Sequence, residues 1–164
     1  MLKLFCDGAC SNNGAQDAIG GFGWALYNDK VSANSLIKSG CGRIQNATNN
    51  IAELIAAIHG CKQVLEILEP IDSIEVYLDS AYIYNCYAQN WWRRWEINGW
   101  ISSSKQPVAN KELWQLLIPY FKDARFKWNK VAGHKGIQGN EFADRLAVSA
   151  KNSNLEFVTI EDLK

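Results

Sequence analysis

The sequence predicts an α/β domain built on a mixed five-stranded sheet, a three-strand antiparallel meander plus two parallel strands, flanked by helices. Three observations carry this. The first forty residues hold apolar runs separated by Gly-, Asn- and Ser-rich turns, the pattern of an antiparallel meander. After residue 50 the apolar period becomes helical, through Ile51, Leu54, Ile55, Ile58, Cys61, Leu65 and Leu68. Two further strand-like runs, 74–79 and 125–131, stand between helical stretches, as crossover connections require.

The elements follow in order. Leu2-Lys3-Leu4-Phe5-Cys6-Asp7 alternates as a strand, and Gly8 to Gly14 reads as a turn. Gly21–Tyr27 forms the second strand, Asn28-Asp29-Lys30 a turn, and residues 32–42 the third strand. The first helix ends before Pro70, and Ile74–Asp79 is the fourth strand. Helices over 80–89 and 110–122 flank an aromatic, basic stretch at 91–100. Residues 125–131 make the fifth strand, 133–139 a loop, and 140–151 the last helix. The order is β-β-β-α-β-α-α-β-α. A single domain over 1–151 and a tail over 152–164 account for the chain.

Composition limits the function classes. A hydrophobic content of 48% with seven Trp excludes a disordered chain. No apolar run reaches the roughly 18–20 residues a bilayer span needs, and Met1-Leu2-Lys3 leads straight into a strand. A soluble cytoplasmic protein without membrane contact is expected, and a monomer. The five cysteines, at 6, 10, 41, 61 and 86, lack paired zinc spacing and are expected to be buried thiols. Seventeen basic and seventeen acidic residues cancel, so no global field draws the protein to a polyanion. The charge is uneven, however. Arg93, Arg94, Lys105 and Lys111 outweigh Glu96 over 93–111, which permits a nucleic-acid partner.

Four carboxylates stand out. Asp7 and Asp79 each close a strand, where ligand sites of α/β sheets gather. Glu53 follows Asn50 by three, which suits a capping box as well as a ligand. Asp144 has Arg145 and Lys151 for ion-pair partners along its helix. Gathered by the fold, the four would form a hard-oxygen cage suited to Mg²⁺ or Mn²⁺. His134, in a loop before the Asp144 helix, is either a solvated side chain or a proton carrier at that corner. Thr48, Asn49 and Asn50 precede a helix N-terminus, which serves capping or phosphate binding equally. Trp91, Trp92, Trp95 and Trp100, interleaved with Arg93 and Arg94, suit either core packing or stacking beside a phosphate track.

Six motifs occur together and in order: Asp7-Gly8-Ala9-Cys10, Gly21-Phe22-Gly23-Trp24, Thr48 through Leu54, Asp79-Ser80-Ala81-Tyr82, the Trp-rich segment, and Val131 through Asp144. In these the chain resembles type 1 ribonuclease H from about residue 2 to 151. The resemblance implies a ribonuclease H-like fold and a metal-dependent endoribonuclease that cuts the RNA strand of RNA–DNA hybrids, leaving 5′-phosphate and 3′-hydroxyl ends. It implies that Asp7, Glu53, Asp79 and Asp144 hold two Mg²⁺ ions, with Mn²⁺ as a substitute, one activating water and one stabilising the leaving 3′-oxygen. His134 would assist proton transfer or product release. Asn13, Asn49 and Asn50 match positions that contact the RNA strand and its 2′-hydroxyls. Thr48 and Asn110 match a DNA-phosphate pocket, and Trp91, Trp95 and Ser103 the DNA-strand channel; Arg93 and Arg94 add positive charge there. Ala81 and Asn46 depart from the common pattern, and the protrusion is only weakly basic, which bears on affinity more than on chemistry. A polynucleotidyl transferase or resolvase acting on DNA is the same-fold alternative, and an idle nucleic-acid-binding module the alternative from another class.

Overall fold

In the computed structural model, residues 1–13, 15–68, 70–131 and 138–164 are described. The central strand is β1 (Leu2–Cys10). It pairs antiparallel with β2 (Ile19–Asn28) from Leu2↔Asn28 to Cys10↔Gly20. On its other side it pairs parallel with β4 (Ile74–Leu78), but only from Leu2↔Ile74 to Cys6↔Leu78. β3 (Leu36–Gln45) extends the antiparallel half, and β5 (Phe126–Lys130) the parallel half. The sheet order is therefore β3-β2-β1-β4-β5, the mixed meander-plus-crossover sheet that the periodicity predicts.

The helices are α1 (Asn49–Leu68), α2 (Ala81–Ala88), α3 (Trp91–Asn98), α4 (Lys111–Lys122) and α5 (Gln138–Lys151). Strand alternation sends Leu4, Cys6, Trp24, Leu26, Val76 and Leu78 into one core with α1 and α4. The opposite set, Phe5, Ala25 and Tyr27, packs with Ala143 of α5. The helix α4 continues past Pro119 because Leu113, Trp114, Leu117, Ile118 and Phe121 are all buried. Each such side chain contributes roughly 1.5–3 kcal/mol, enough to offset one imperfect turn.

Several boundaries differ from the sequence expectation. β1 runs three residues beyond Asp7, because β2 continues to pair with it after β4 has ended. The third strand starts at Leu36, since Ala33–Ser35 forms a 3₁₀ turn closed by the Ser32 and Ser35 side chains. The Trp-rich stretch is a helix of its own, set off by Asn90 (φ 57°) and Gly99 (φ 79°), both left-handed. Cysteines 6, 61 and 86 are buried thiols as expected, while Cys41 on the edge strand is exposed.

Residues 152–164 lie against the body. Phe157 bridges to Arg43 of β3, and the Val158 N–H donates to the Arg43 carbonyl at 2.8 Å. The Arg43 guanidinium donates to the carbonyls of Leu155 (2.8 Å) and Ser153 (3.2 Å) and sits 4.1 Å from the Phe157 ring centre. Leu163 is buried in the core, and Lys62 Nζ donates to the Asp162 and Lys164 carbonyls. The segment thus shields part of the open β3 edge. No helix among the described residues is long and apolar enough to cross a membrane.

Candidate active site

The carboxylate corner arises where the two halves of the sheet part. Leu78 is the last β4 residue paired with β1, so Asp79 leaves the sheet beside Asp7. Ser80 then caps α2, its Oγ accepting the Ile83 N–H at 3.2 Å, which directs the chain away and leaves Asp79 at the strand tip. Glu53 comes from the second turn of α1. It reaches Asp7 because Gly8 presents no side chain: a Cβ there would lie 2.5 Å from the Ala52 carbonyl carbon and 2.6 Å from the Glu53 nitrogen. The Gly8 N–H points at both carboxylates, 2.9 Å from Asp7 Oδ1 and 3.1 Å from Glu53 Oε1.

Asp144 is brought in by a second close approach. A Cβ on Gly23 would stand 2.5 Å from the Ala143 carbonyl, so this glycine lets α5 lie directly on β2. Asp144 thereby comes within charge and hydrogen-bonding reach of Asp7. One oxygen each from Asp7, Glu53 and Asp79 lie within 4.8 Å of one another. The capping reading of Glu53 is corrected: Thr48 caps α1 through its Oγ1, which accepts the Ile51 N–H at 3.0 Å, and Glu53 turns to the sheet.

Asp7 is only 2% exposed. Burial, followed by the charges of Asp79 and Asp144, pushes its carboxyl up to about 8, although a hydrogen bond with Glu53 pulls the other way. Burial and the neighbouring Asp7 charge raise Glu53 well above the usual carboxylate range. Asp7 Oδ2 and Glu53 Oε2 are buried without a hydrogen-bond partner. Two orphaned oxygens among crowded carboxylates are costly alone and well matched to a hard divalent cation, so the residues present fit such an ion.

The residues expected to contact nucleic acid fall in several places. Asn13, Asn49 and Asn50 are exposed and adjacent, the Asn13 Oδ1 accepting the Asn49 N–H at 2.8 Å. Asn110 sits in the left-handed region (φ 61°) before α4, and with Asn46, Ile51 and Lys111 it lines a depression of about 470 Å³. Thr48, expected to share this pocket with Asn110, caps α1 and is not among the residues that line the depression. Trp91, Arg94, Trp95 and Ser103 line a second groove, also of about 470 Å³. Arg93 does not join them. It stacks on Trp92 at 4.9 Å, on the side of α3 shared with Glu96, Ile97 and Lys122. Of the four clustered Trp, Trp92 is buried and Trp91, Trp95 and Trp100 are half-buried. His134 lies outside the described residues, as does most of its loop.

Comparison with known proteins agrees with this geometry. The sequence profile of the RNase H family matches residues 1–152. This chain belongs to the RNase H family. It is 38% identical over 147 residues to the ribonuclease H of Clostridium botulinum, spanning 90% of this chain and 93% of that one. It is equally similar, 38% over 147 residues, to that of Symbiobacterium thermophilum, spanning 90% and 92%. Among solved structures it resembles LC11-RNase H1, solved in complex with an RNA/DNA hybrid. There the TM-score is 0.67 and the identity 20%, over 93% of this chain and 97% of that one.

As a member of the RNase H family, the chain holds two features that its motifs do not announce. Tyr82, within the Asp79-Ser80-Ala81-Tyr82 motif, places its hydroxyl against Asn110 and Trp114. Phe157 to Ile160, in the tail, form one wall of the Asn110 depression. The contacts of both depend on long stretches of chain, which no local pattern declares.

Proposed function

We propose that this member of the RNase H family is an endoribonuclease that hydrolyses the RNA strand of RNA–DNA hybrids, leaving 5′-phosphate and 3′-hydroxyl ends. The observation that carries the reading is the convergence of Asp7, Glu53 and Asp79 around two orphaned buried oxygens, with the Asp144 charge bearing on Asp7. A binding module would gain nothing from packing like charges beside a polyanion.

In this reading the four carboxylates hold two Mg²⁺ ions. When bound, the ions supply the positive charge that a phosphodiester needs before water can attack and the 3′-oxygen can leave. The Gly8 N–H fixes Asp7 and Glu53 relative to each other, so the donor set is organised by backbone. Asn13 spends its Oδ1 on the Asn49 N–H, leaving Nδ2 to donate toward a 2′-hydroxyl. Asn49 and Asn50 present exposed amides to the same strand. The Thr48 oxygen accepts from Ile51, leaving its hydroxyl hydrogen for a DNA-strand phosphate, which Asn110 grips with it. Trp91 and Trp95, with ring centres 6.5 Å apart, form with Arg94 and Ser103 the floor of a DNA-strand channel. His134 carries a proton to or from the cut. The domain over 1–151 carries the activity as a monomer.

The test is cleavage of end-labelled RNA–DNA hybrid, duplex RNA and duplex DNA, each with Mg²⁺, Mn²⁺ or chelator. Only the hybrid is expected to be cut, in its RNA strand, and only with a cation. Cleavage in chelator, or of duplex DNA, would overturn the proposal, the latter in favour of the transferase reading.

A further inference from the structure

We infer that Tyr77 is a positioning residue for the carboxylate corner. Stacked on Phe5, it fixes Asp79 at the end of β4 against Asp7 of β1 and the α5 turn that leads to Asp144. This rests on the proposed function and adds to it a residue outside the donor set.

Strand register brings the two rings together. Phe5 pairs with Tyr77 across the parallel β1–β4 ladder, and their rings stack with centres 4.8 Å apart and planes 12° from parallel. That separation is the ordinary spacing of neighbouring strands, so the rings face each other without tilting. Tyr27 of β2 meets the Phe5 ring edge-on, 5.8 Å away at 85°. Phe5 is buried, and a Cβ on Gly139 would stand 2.4 Å from its ring. The first turn of α5 therefore rests directly on Phe5, with Ala143 in the same cluster. Tyr77, half-buried, is the β4 member of this stack.

Each ring stands two residues before a carboxylate. Side chains at i and i+2 of a strand share a face, so Phe5 lies below Asp7 and Tyr77 below Asp79. Gly139 precedes Asp144 on α5 by little more than one helical turn. Three of the four carboxylates thus stand on segments that meet at one aromatic stack. The stack sits where the ladder is about to end, since Cys6↔Leu78 is the last β1–β4 pair. A hard cation that demands near-ideal octahedral geometry is sensitive to small shifts of its donors. The Tyr77 hydroxyl lies within hydrogen-bonding reach of Glu75, two residues back along β4 from the corner, and takes no part in the spacing.

The experiment titrates Mg²⁺ alone, without hybrid, into wild type, Tyr77→Ala, Tyr77→Leu, Tyr77→Phe and Val64→Ala. The Gly8 amide resonance reports occupancy, because that N–H touches both Asp7 and Glu53. Tyr77→Ala and Tyr77→Leu are expected to raise the Mg²⁺ midpoint about 3- to 10-fold, at the lower end of what residues supporting metal ligands contribute. Tyr77→Phe keeps the stack and should stay within twofold of wild type. Val64→Ala loosens the opposite core layer, and should lower Tm without moving the midpoint. A midpoint within twofold of wild type in Tyr77→Ala or Tyr77→Leu overturns the inference. So does a shift in Tyr77→Phe equal to theirs, or one as large in Val64→Ala for the same loss of Tm. In each of these cases the metal corner itself stands. A wild-type Gly8 amide that ignores Mg²⁺ overturns the metal reading and the inference together. A normal Mg²⁺ response with hybrid left uncut overturns the proposed function and leaves Tyr77 in its role.

Discussion

Replacing Asp7 with asparagine separates the cost of the carboxylate corner from its use. The Asp7 carboxyl rises from an ordinary 3.8 to about 8 through burial and the charges of Asp79 and Asp144. A carboxyl raised in the folded state binds its proton more tightly there than in the unfolded chain. Its contribution to stability is complete below the unfolded value and is lost as pH rises toward 8. At about 1.4 kcal/mol per pH decade, the gap between the unfolded value and pH 7.5 costs the cation-free fold up to about 5 kcal/mol there. Water entry and side-chain adjustment reduce the realised cost to about 2–4 kcal/mol. Asp7→Asn removes the charge and keeps the shape. In chelator at pH 8 it is expected to raise Tm by about 5–15 °C, at roughly 2–4 °C per kcal/mol. At pH 4.5, closer to the unfolded value, the gain should fall to about a fifth of that at pH 8. Scanning calorimetry of both proteins at the two pH values checks this, with Mg²⁺ added as a third condition that stabilises wild type alone. Hybrid cleavage by the variant should be abolished. An equal Tm gain at both pH values, or a variant less stable than wild type at pH 8, would refute the electrostatic argument.

Three other outcomes follow from particular contacts. Gly23→Ala places a methyl 2.5 Å from the Ala143 carbonyl and must lift α5, and Asp144 with it, from the sheet. It should cost about 1–3 kcal/mol by overpacking and lower kcat at least tenfold, as urea unfolding and cleavage rates would show. His59 accepts the buried Trp24 Nε1–H on Nδ1 at 2.8 Å, and burial, with Lys62 nearby, holds its pKa below 6.5, against Glu66 and Asp162. Its stabilising contribution is present above pH 6.5 and lost as pH falls through the lowered value, so His59→Gln should flatten the acid-side slope of Tm against pH. Arg94 lies in the Trp91–Trp95 groove and Arg93 behind it. Arg94→Ala should reduce the salt dependence of hybrid binding, measured as log K against log salt, by just under one charge, with Arg93→Ala much closer to wild type.

The elements were legible because periodicity is local. Ile51 to Leu68 recur at helical spacing whatever surrounds them, and the alternation in 2–7 and 74–79 declares strands in the same way. The candidate carboxylates were legible only as a joint pattern, since capping or an ion pair along the helix suits Glu53, Asp144 and the Thr48–Asn50 turn equally well when each is taken alone. Boundaries were less so: β1 runs on to Cys10 because of its partner β2, which residues 2–7 do not reveal.

What the sequence by itself determined is the sheet, its helices and a short roster of chemistry-bearing side chains. Only the tertiary structure decided which alternative each side chain took. Glu53 turns to Asp7 and the Gly8 N–H, rather than capping α1, because Gly8 and Ala52 let backbone meet backbone. Asp144 meets Asp7, rather than simply lying along its helix with Arg145 and Lys151, because Gly23 admits α5 to the sheet. Trp91 and Trp95 divide from Trp92 because a short helix has only one buried side. The tail wall of the Asn110 depression carries no local pattern at all. The physical reason is the same throughout. Helix and strand are written in neighbours a few residues apart, whereas a site is made by close approaches between segments tens of residues apart, and those depend on which atoms are missing as much as on which are present.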